Sequence, residues 1–149
     1  MTSNNKIFSS LIISIALFFS HCKKDEPIAS DEPSIELESV SSTNVLEGDP
    51  LTFRIKYTDG NGDLGENNPD VHNLFLTDNR VNVTYEYRIQ ELAPEGSSII
   101  IQGHLDVELN STAVTDGSNS QSVTYSIYVV DRAGNHSNTV TSESITIHK

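Results

Sequence analysis

The sequence predicts an all-β protein, built as one antiparallel sandwich of about seven strands over residues 34–149. Three observations support this prediction. Short segments alternate apolar and polar side chains, which is the period of a half-buried strand. Loops rich in Gly, Asn, Asp and Ser separate these segments at the spacing typical of sandwiches. No stretch beyond residue 22 has the periodicity of an amphipathic helix.

The first two predicted strands span residues 34–40 and 51–58, and a turn at residues 46–50 leads into the second. Every second side chain of residues 51–58 is apolar, as expected for a strand with one face against a core. The side chains expected in the core are Leu51, Phe53, Ile55 and Tyr57.

Residues 72–77 and 81–89 should form a hairpin around a short turn at residues 78–80. Residues 99–109 should form one long strand, and Gly103 within it predicts a bulge or bend. The alternation in residues 81–89 predicts a buried face made of Val81, Val83, Tyr85, Tyr87 and Ile89.

Residues 110–122 are polar and are expected to form a loop without a core face. Two further strands, residues 122–131 and 137–147, flank a turn that contains Asp, Gly and Asn. The sequence shows no internal repeat. The roughly 116 residues from 34 to 149 suffice for one domain and are too few for two.

Two stretches resemble bacterial immunoglobulin-like domains. Residues 123–140, VTYSIYVVDRAGNHSNTV, are similar to the last hairpin of such domains, in which a Tyr-x-apolar-x-Val strand leads into Asp-x-Ala-Gly-Asn-x-Ser. Residues 47–65, EGDPLTFRIKYTDGNGDLG, resemble the start of immunoglobulin-like modules of bacterial surface lipoproteins. The resemblance implies a sandwich with a role at the cell surface, and it implies no activity. The matching positions of the hairpin are Tyr125, Ile127, Val129, Asp131, Ala133, Gly134, Asn135 and Ser137.

Residues 1–21 have the composition of a secretion signal. A short start with one Lys precedes an apolar run at residues 7–19, IFSSLIISIALFF. This run is shorter than the roughly 20 residues that span a bilayer as a helix, which disfavours a permanent transmembrane segment. The protein is therefore expected to be exported.

Cys22 is the only cysteine and lies just after the apolar run. This arrangement resembles the signal of bacterial lipoproteins, in which the cysteine becomes the acylated first residue of the mature chain. An uncleaved anchor and plain secretion are the alternatives. Residues 23–26, KKDE, resemble the tag that directs some lipoproteins to the outer face of the outer membrane, and residues 22–33 should form a flexible acidic tether. The implied location is the outer membrane, with the domain facing the exterior.

The charge of the chain limits its partners. The sequence has 9 Lys and Arg against 21 Asp and Glu, a net charge of −12 at pH 7, and removal of residues 1–21 deletes only Lys6 and leaves −13. This charge disfavours nucleic acid and anionic membrane surfaces as direct binding partners, because both select basic surfaces. A single cysteine excludes an internal disulfide. The protein is expected to be a monomer.

Residues 59–70, DGNGDLGENNPD, contain the clearest candidate for a functional site. Oxygen-bearing side chains recur at the first, third, fifth and twelfth positions, a spacing close to that of the calcium loop of EF-hands. Leu64 replaces the glycine expected at the sixth position, and a strand rather than a helix precedes the loop, so a true EF-hand is rejected. The candidate ligands from this loop are Asp59, Asn61, Asp63 and Asp70.

Calcium requires about six to eight oxygen ligands on a flexible loop, and it does not require helices. In an immunoglobulin-like sandwich, the loop after the second strand and the loop before the last strand lie at the same end. Asp131 and Asn135 are therefore expected to approach residues 59–63 and to complete a calcium site. The competing interpretation is plain turn chemistry, because Asp, Asn and Gly are also the favoured residues of turns.

No catalytic residue is assigned, because the sequence lacks a nucleophile elbow, an HExxH motif and a Cys–His arrangement. The expected function is a non-catalytic, lipid-anchored binding or structural module, with an unknown protein or glycan as its partner and calcium as its candidate cofactor. One alternative is a small metal-dependent hydrolase that uses Asp59, Asp63, His72 and His136. Another is a glycan-capture lipoprotein, for which Tyr128 is the best candidate for an exposed aromatic side chain.

Overall fold

The computed structural model of the protein describes residues 30–149, and this range is all-β. The predicted signal peptide, Cys22 and residues 23–29 of the tether lie outside the described residues. None of the described residues forms a helix long and apolar enough to cross a membrane. The ten strands of this range are β1 (Ser34–Val40), β2 (Asn44–Leu46), β3 (Leu51–Asp59), β4 (Leu74–Asp78), β5 (Val83–Tyr87), β6 (Ile101–Leu109), β7 (Ser120–Val123), β8 (Tyr125–Val129), β9 (Val140–Thr141) and β10 (Ile145–His148).

The strands form a mainly antiparallel sandwich, which confirms the predicted fold class. One sheet has the order β1-β3-β6, a second has the order β5-β4-β8-β9, and a third has the order β2-β10-β7. Only Thr124 separates β7 from β8, and three residues separate β9 from β10. The second and third sheets therefore share two continuous chain segments and together form one bent layer opposite β1-β3-β6.

The bend explains why ten strands replace the predicted seven. Residues 122–131 were expected to form one strand, but β7 pairs with β10 whereas β8 pairs with β4 and β9. Residues 137–147 divide in the same way into β9 and β10. The short strand β2, which lies parallel to β10, was not predicted and overlaps the start of the expected turn at residues 46–50.

The core contains side chains from both layers. Leu51, Phe53 and Ile55 have no exposed surface and Tyr57 is 8% exposed, which confirms the predicted buried face of β3. Phe53 packs edge-on against Tyr125 of the other layer, with ring centroids 5.2 Å apart. Each large apolar side chain stabilises the fold by about 1.5–3 kcal/mol when it is buried, so this shared core holds the two layers together.

The two sides of the sandwich close differently. On one side, Ile35 N–H donates to Asn138 Oδ1 at 2.9 Å, and Asn138 Nδ2 donates back to Ile35 O at 2.8 Å, which caps the edge of β1. On the other side, β5 and β6 are edge strands of opposite layers, and the Tyr87 hydroxyl donates to Glu108 O at 3.0 Å across the gap. A cleft of about 450 Å³ opens beside this contact, with Leu105 in its apolar lining.

The prediction of a buried face on residues 81–89 is wrong for most of that segment. Val81 and Val83 are each 45% exposed and Tyr85 is 36% exposed, whereas Tyr87 is half-buried and Ile89 is buried. The reason is that β6, the edge strand of the opposite layer, reaches β5 at Tyr87 through Glu108, whereas within the described chain no strand lies over Val83 and Tyr85. Alternation determines which side chains share a face of a strand, but it does not determine whether another sheet covers that face.

The predicted bulge at Gly103 is also wrong. The nine residue pairs between β3 and β6 run without a shift, and the irregularity of this sheet lies in β1, between Leu37 and Ser39. Gly103 instead leaves room for the ring of its cross-strand partner Tyr57. A Cβ atom added at Gly103 would lie 2.7 Å from Tyr57 Oη, which is closer than non-bonded atoms approach.

A buried ion pair fastens the end of the sandwich at which β4 turns into β5. Asp78 is 3% exposed, and Arg80 Nη2 donates to Asp78 Oδ2 at 2.6 Å. Arg80 Nη1 also donates to Ala113 O at 3.1 Å and to Gln121 Oε1 at 2.9 Å, which joins the turn to the loop before β7. We call this the Arg80 end of the domain.

The substitution Gly103→Ala should destabilise the domain by about 1–3 kcal/mol, because the added methyl group must displace the buried ring of Tyr57. Urea unfolding followed by circular dichroism measures this change. In a Tyr57→Leu background the same substitution should cost clearly less, since the displaced ring is gone. Equal costs in the two backgrounds would show that the ring does not impose the requirement for glycine.

Candidate functional site

Two loops meet at the end of the sandwich opposite the Arg80 end. One loop follows β3 and the other lies between β8 and β9. Arg132 N–H donates to Asp63 O at 3.2 Å, and Arg132 Nη1 donates to Gly65 O at 2.8 Å. The expectation that these two segments share one end is therefore confirmed. We call the candidate ligands at this junction the acidic rim: Asp59, Asn61, Asp63, Asp131 and Asn135.

Asp59 is the last residue of β3, and its side chain has no exposed surface. It points inward because it continues the buried alternation of Ile55 and Tyr57. Leu64 N–H donates to Asp59 Oδ2 at 2.7 Å, and the fully buried Leu64 side chain anchors the loop beside it. Asp59 Oδ1 is buried and has no hydrogen-bond partner among the described residues. Such an oxygen is costly, because it has lost its hydration and gained no replacement.

Asp63 also has a buried carboxylate oxygen without a hydrogen-bond partner among the described residues. Its N–H donates to Asn61 Oδ1 at 3.2 Å, but its own Oδ1 is buried without a hydrogen-bond partner in residues 30–149. Burial raises the pKa of Asp63 above its ordinary value of 3.8, and the negative charges of Asp131 and Asp59 raise it further. The positive charge of Arg132 and the hydrogen bond with Asn61 act in the opposite direction. The rim therefore disfavours the ionised form of Asp63.

Asp131 is 6% exposed and organises the second loop. Its Oδ1 accepts a hydrogen bond from Asn135 N–H at 2.8 Å, and its Oδ2 accepts one from Asn135 Nδ2 at 2.9 Å. Gly134 has a φ of 86°, which glycine adopts without steric cost, and this closes the turn. Both oxygens of Asp131 are thus satisfied within the loop, so Asp131 acts on the rim mainly through its charge.

Arg132 supplies positive charge at the rim, and the sequence analysis did not single it out. Its guanidinium donates to the backbone carbonyls of Gly65 at 2.8 Å and Gly62 at 3.4 Å. It forms no ion pair with a carboxylate within the described part of the chain. One guanidinium accompanies three carboxylates, so the rim keeps an excess of negative charge. The available signal was the position of this Arg directly after Asp131.

Asp70, the fourth candidate ligand of the first loop, lies apart from the rim. Its side chain is exposed, and its N–H donates to Asn68 Oδ1 at 3.1 Å. Its neighbour Asn67 donates to Glu91 instead of turning towards Asp59. The buried side chain of Leu64 explains this arrangement, because it fixes the middle of the loop against the core and prevents an EF-hand-like wrap around one point.

The two candidate histidines contact other partners. His72 Nδ1 lies 3.3 Å from Glu86 Oε2, and both side chains are about half exposed. His136 stacks on Tyr128, with ring centroids 5.5 Å apart and planes inclined by 17°. Neither imidazole makes a hydrogen bond to a rim carboxylate in residues 30–149. The structure therefore does not bring the four residues of the hydrolase alternative together in direct contact.

Tyr128 is half-buried and both faces of its ring are covered. Phe75 stacks on one face, with centroids 4.8 Å apart and planes inclined by 13°, and His136 covers the other. The spacing of 4.8 Å equals the distance between neighbouring strands, so these rings stand upright on the sheet and present their edges to solvent. A sugar ring stacks on an open aromatic face, and Tyr128 offers none.

The acidic rim offers hard oxygen donors. In residues 30–149, no three His, Cys, Asp or Glu side chains are arranged as a ready metal centre. What the rim presents instead is the pair of unpartnered carboxylate oxygens on Asp59 and Asp63. Oxygen-only donors suit calcium, whereas transition metals favour His and Cys.

Comparison with known proteins adds no assignment. No protein-family model and no curated protein matches this chain.

The substitution Asp63→Asn should raise the melting temperature of the domain by a few degrees at pH 7 in the presence of a chelator. The pKa of Asp63 is raised in the folded state, so the folded protein holds this proton more tightly than the unfolded chain does. Ionisation of Asp63 therefore lowers stability as the pH rises through the raised pKa, and Asn removes this loss.

A pH series of thermal melts on the variant and the wild type checks this prediction. The advantage of Asp63→Asn should shrink as the pH falls and should vanish below pH 3.8, where Asp63 is protonated in both states. The exposed Asp70→Asn serves as the matched control and should show no such advantage. An Asp63→Asn variant that is less stable than the wild type at pH 7 in chelator would contradict the account.

Proposed function

We propose that this protein is a non-catalytic module of the cell surface, held by a lipid at Cys22, and that one calcium ion at the acidic rim joins its two loops. The observation that supports the calcium site is the pair of buried, unpartnered oxygens, Asp59 Oδ1 and Asp63 Oδ1. Asp63 also lies beside the charges of Asp131 and Asp59. A cation between them would remove the cost of both unpaired oxygens.

The contrast with the Arg80 end supports a cation rather than plain turn chemistry. The buried carboxylate of Asp78 has its own guanidinium at 2.6 Å. Among residues 30–149, the equally buried Asp59 has no such partner, since Arg132 donates to the carbonyls of Gly62 and Gly65. Turn formation uses Asp59 Oδ2, which accepts the Leu64 N–H, and leaves Asp59 Oδ1 without a role.

Calcium suits the rim better than magnesium does. Calcium accepts about six to eight oxygens in irregular geometry, whereas magnesium demands an octahedron and retains its water. Asp59 and Asp63 would supply charged ligands from the first loop. Asn61 Oδ1 already accepts the Asp63 N–H, and Asn135 already donates its backbone and side-chain N–H groups to Asp131, so these two residues would shape the two loops. The ion would stabilise the junction of the two loops, and it would take part in no reaction.

Calcium titration tests the proposal. Isothermal calorimetry should show one site with a Kd in the range of about 0.1–1 mM that is typical of extracellular modules. At 100-fold excess over Kd, the linked stabilisation of about 2.7 kcal/mol should raise the melting temperature by roughly 10 °C. Asp59→Asn and Asp63→Asn should each abolish the binding heat, whereas Asp70→Asn should leave it unchanged.

Absence of binding heat together with an unchanged melting temperature would refute the calcium site. The Asp, Asn and Gly residues of the rim would then be explained by turn formation alone. An equal response to magnesium, or loss of binding in Asp70→Asn, would contradict the ligand assignment. Folding of each variant is checked by circular dichroism before titration.

The position at which the chain enters the domain supports a membrane-proximal rim. Gly60 N–H donates to Ser30 O at 2.9 Å, so the tether reaches the domain beside the acidic rim. Only seven residues lie between Cys22 and Ser30, and the eight steps from Cα to Cα limit the span to about 28 Å. A lipid at Cys22 would therefore hold the rim near the membrane and direct the Arg80 end outward. Loops at the Arg80 end, residues 79–82 and 110–119, are then the ones offered to a protein or glycan partner.

Lipidation of Cys22 is tested by mass spectrometry of the mature protein. The mature chain should begin at Cys22 and carry acyl groups, and globomycin should cause the unprocessed precursor to accumulate. Cys22→Ala should remain unacylated and fail to reach the outer membrane. A wild-type chain with an unmodified Cys22 would overturn the anchoring proposal and leave the calcium proposal untouched.

A further inference from the structure

The edge strand β5 is uncovered on its open side. Val83, Thr84, Tyr85 and Glu86 are all exposed, and their backbone makes no hydrogen bond in residues 30–149 outside the ladder with β4. Val83 and Tyr85 lie on the same face as the buried Leu76 of β4, but no strand of the opposite layer covers them. Apolar side chains and unpaired backbone groups are therefore exposed together.

This edge lacks the features by which proteins block unwanted strand pairing. Edge strands are usually protected by Lys, by Pro, by a bulge or by a covering loop. Residues 81–87, VNVTYEY, contain neither Lys nor Pro, and the pairing of β5 with β4 is regular. The one charge, Glu86, lies 3.3 Å from His72 Nδ1. In a chain with a net charge of −12, the strand β5 has one charged side chain among its five residues.

We propose that two copies of this protein associate through β5, which pairs antiparallel with its own copy around a two-fold axis at Tyr85. In this register Val83 faces Tyr87 of the second copy, and Thr84 faces Glu86. Aromatic side chains opposite β-branched ones are favourable cross-strand pairs. This register places no two charged side chains opposite each other, whereas a register centred on Glu86 would place the two Glu86 side chains opposite each other.

Self-pairing is favoured over capture of a foreign strand by the symmetry of the side chains. The five residues of β5 place apolar side chains at alternate positions on both sides of Tyr85. The edge of β6 does not share this property, because Asp106 and Glu108 alternate along its exposed face and would lie close to their own copies. A two-fold pairing through β5 uses the edge of both copies, so the association closes at two and does not extend to a fibre.

Sedimentation velocity of the mature chain with Cys22→Ser tests this inference, which does not depend on calcium or on the lipid. Wild type should convert from monomer to dimer between about 1 μM and about 1 mM. Each copy carries a large negative charge, so added salt should strengthen the association. Tyr85→Lys and Val83→Lys should remain monomeric, and Ile100→Lys, at an exposed apolar residue outside β5, should dimerise as the wild type does.

The register is tested by cross-linking in the same Cys22→Ser background. Tyr85→Cys should form a disulfide-linked dimer on mild oxidation, whereas Thr84→Cys, which faces residue 86 of the second copy, should not. A wild type that stays monomeric throughout the concentration range would overturn the proposal. So would larger oligomers, loss of dimer in Ile100→Lys, or equal cross-linking of both cysteine variants. Circular dichroism and melting temperatures confirm that the exposed substitutions leave the fold intact.

Discussion

The buried carboxylate of Asp59 is the constraint on which the rest of the rim depends. The same alternation that directs Ile55 and Tyr57 into the core directs Asp59 there as well, so β3 ends on a charge without solvent. Its Oδ2 fixes Leu64, and Leu64 places the loop in position for Asp63 to meet Arg132. The domain therefore joins its two loops around buried carboxylates, which cost free energy as long as their charge is not compensated.

The two ends of the domain differ in how their buried carboxylates are compensated, and its two sides differ in how their edge strands are capped. Asp78 is neutralised within the chain by Arg80, whereas the carboxylates at the rim exceed the charge of Arg132. The edge of β1 is capped by Asn138, whereas the edge of β5 is left open. Within residues 30–149, the rim and β5 therefore leave different groups unsatisfied: the rim has hard carboxylate oxygens without partners, and β5 has exposed apolar side chains and unpaired backbone groups.

Local pattern predicted the strands and the meeting of the two loops, because alternation and turn residues are properties of neighbouring positions and the sandwich topology supplies the rest. Prediction from local pattern failed where the environment of a residue depends on residues that are distant in the sequence. The exposure of Tyr85 depends on the absence of a strand over β5, and the role of Gly103 depends on the ring of Tyr57. Asp70 was grouped with Asp59 by spacing alone, but the buried Leu64 divides the loop. Arg132 was missed because its partners are backbone carbonyls 67 and 70 positions away.

The claim that a cation clasps the two loops is tested most directly by hydrogen exchange of single amides in calcium and in chelator. Leu64 N–H is held by Asp59, and Arg132 N–H is held by Asp63 O, so each reports on one half of the junction. Calcium should slow the exchange of both amides by the same factor, while Asn82 N–H, held by Asp78 O in an exposed turn at the Arg80 end that opens locally, keeps its rate. Unchanged exchange at Leu64 and Arg132, or an equal change at all three amides, would contradict the account.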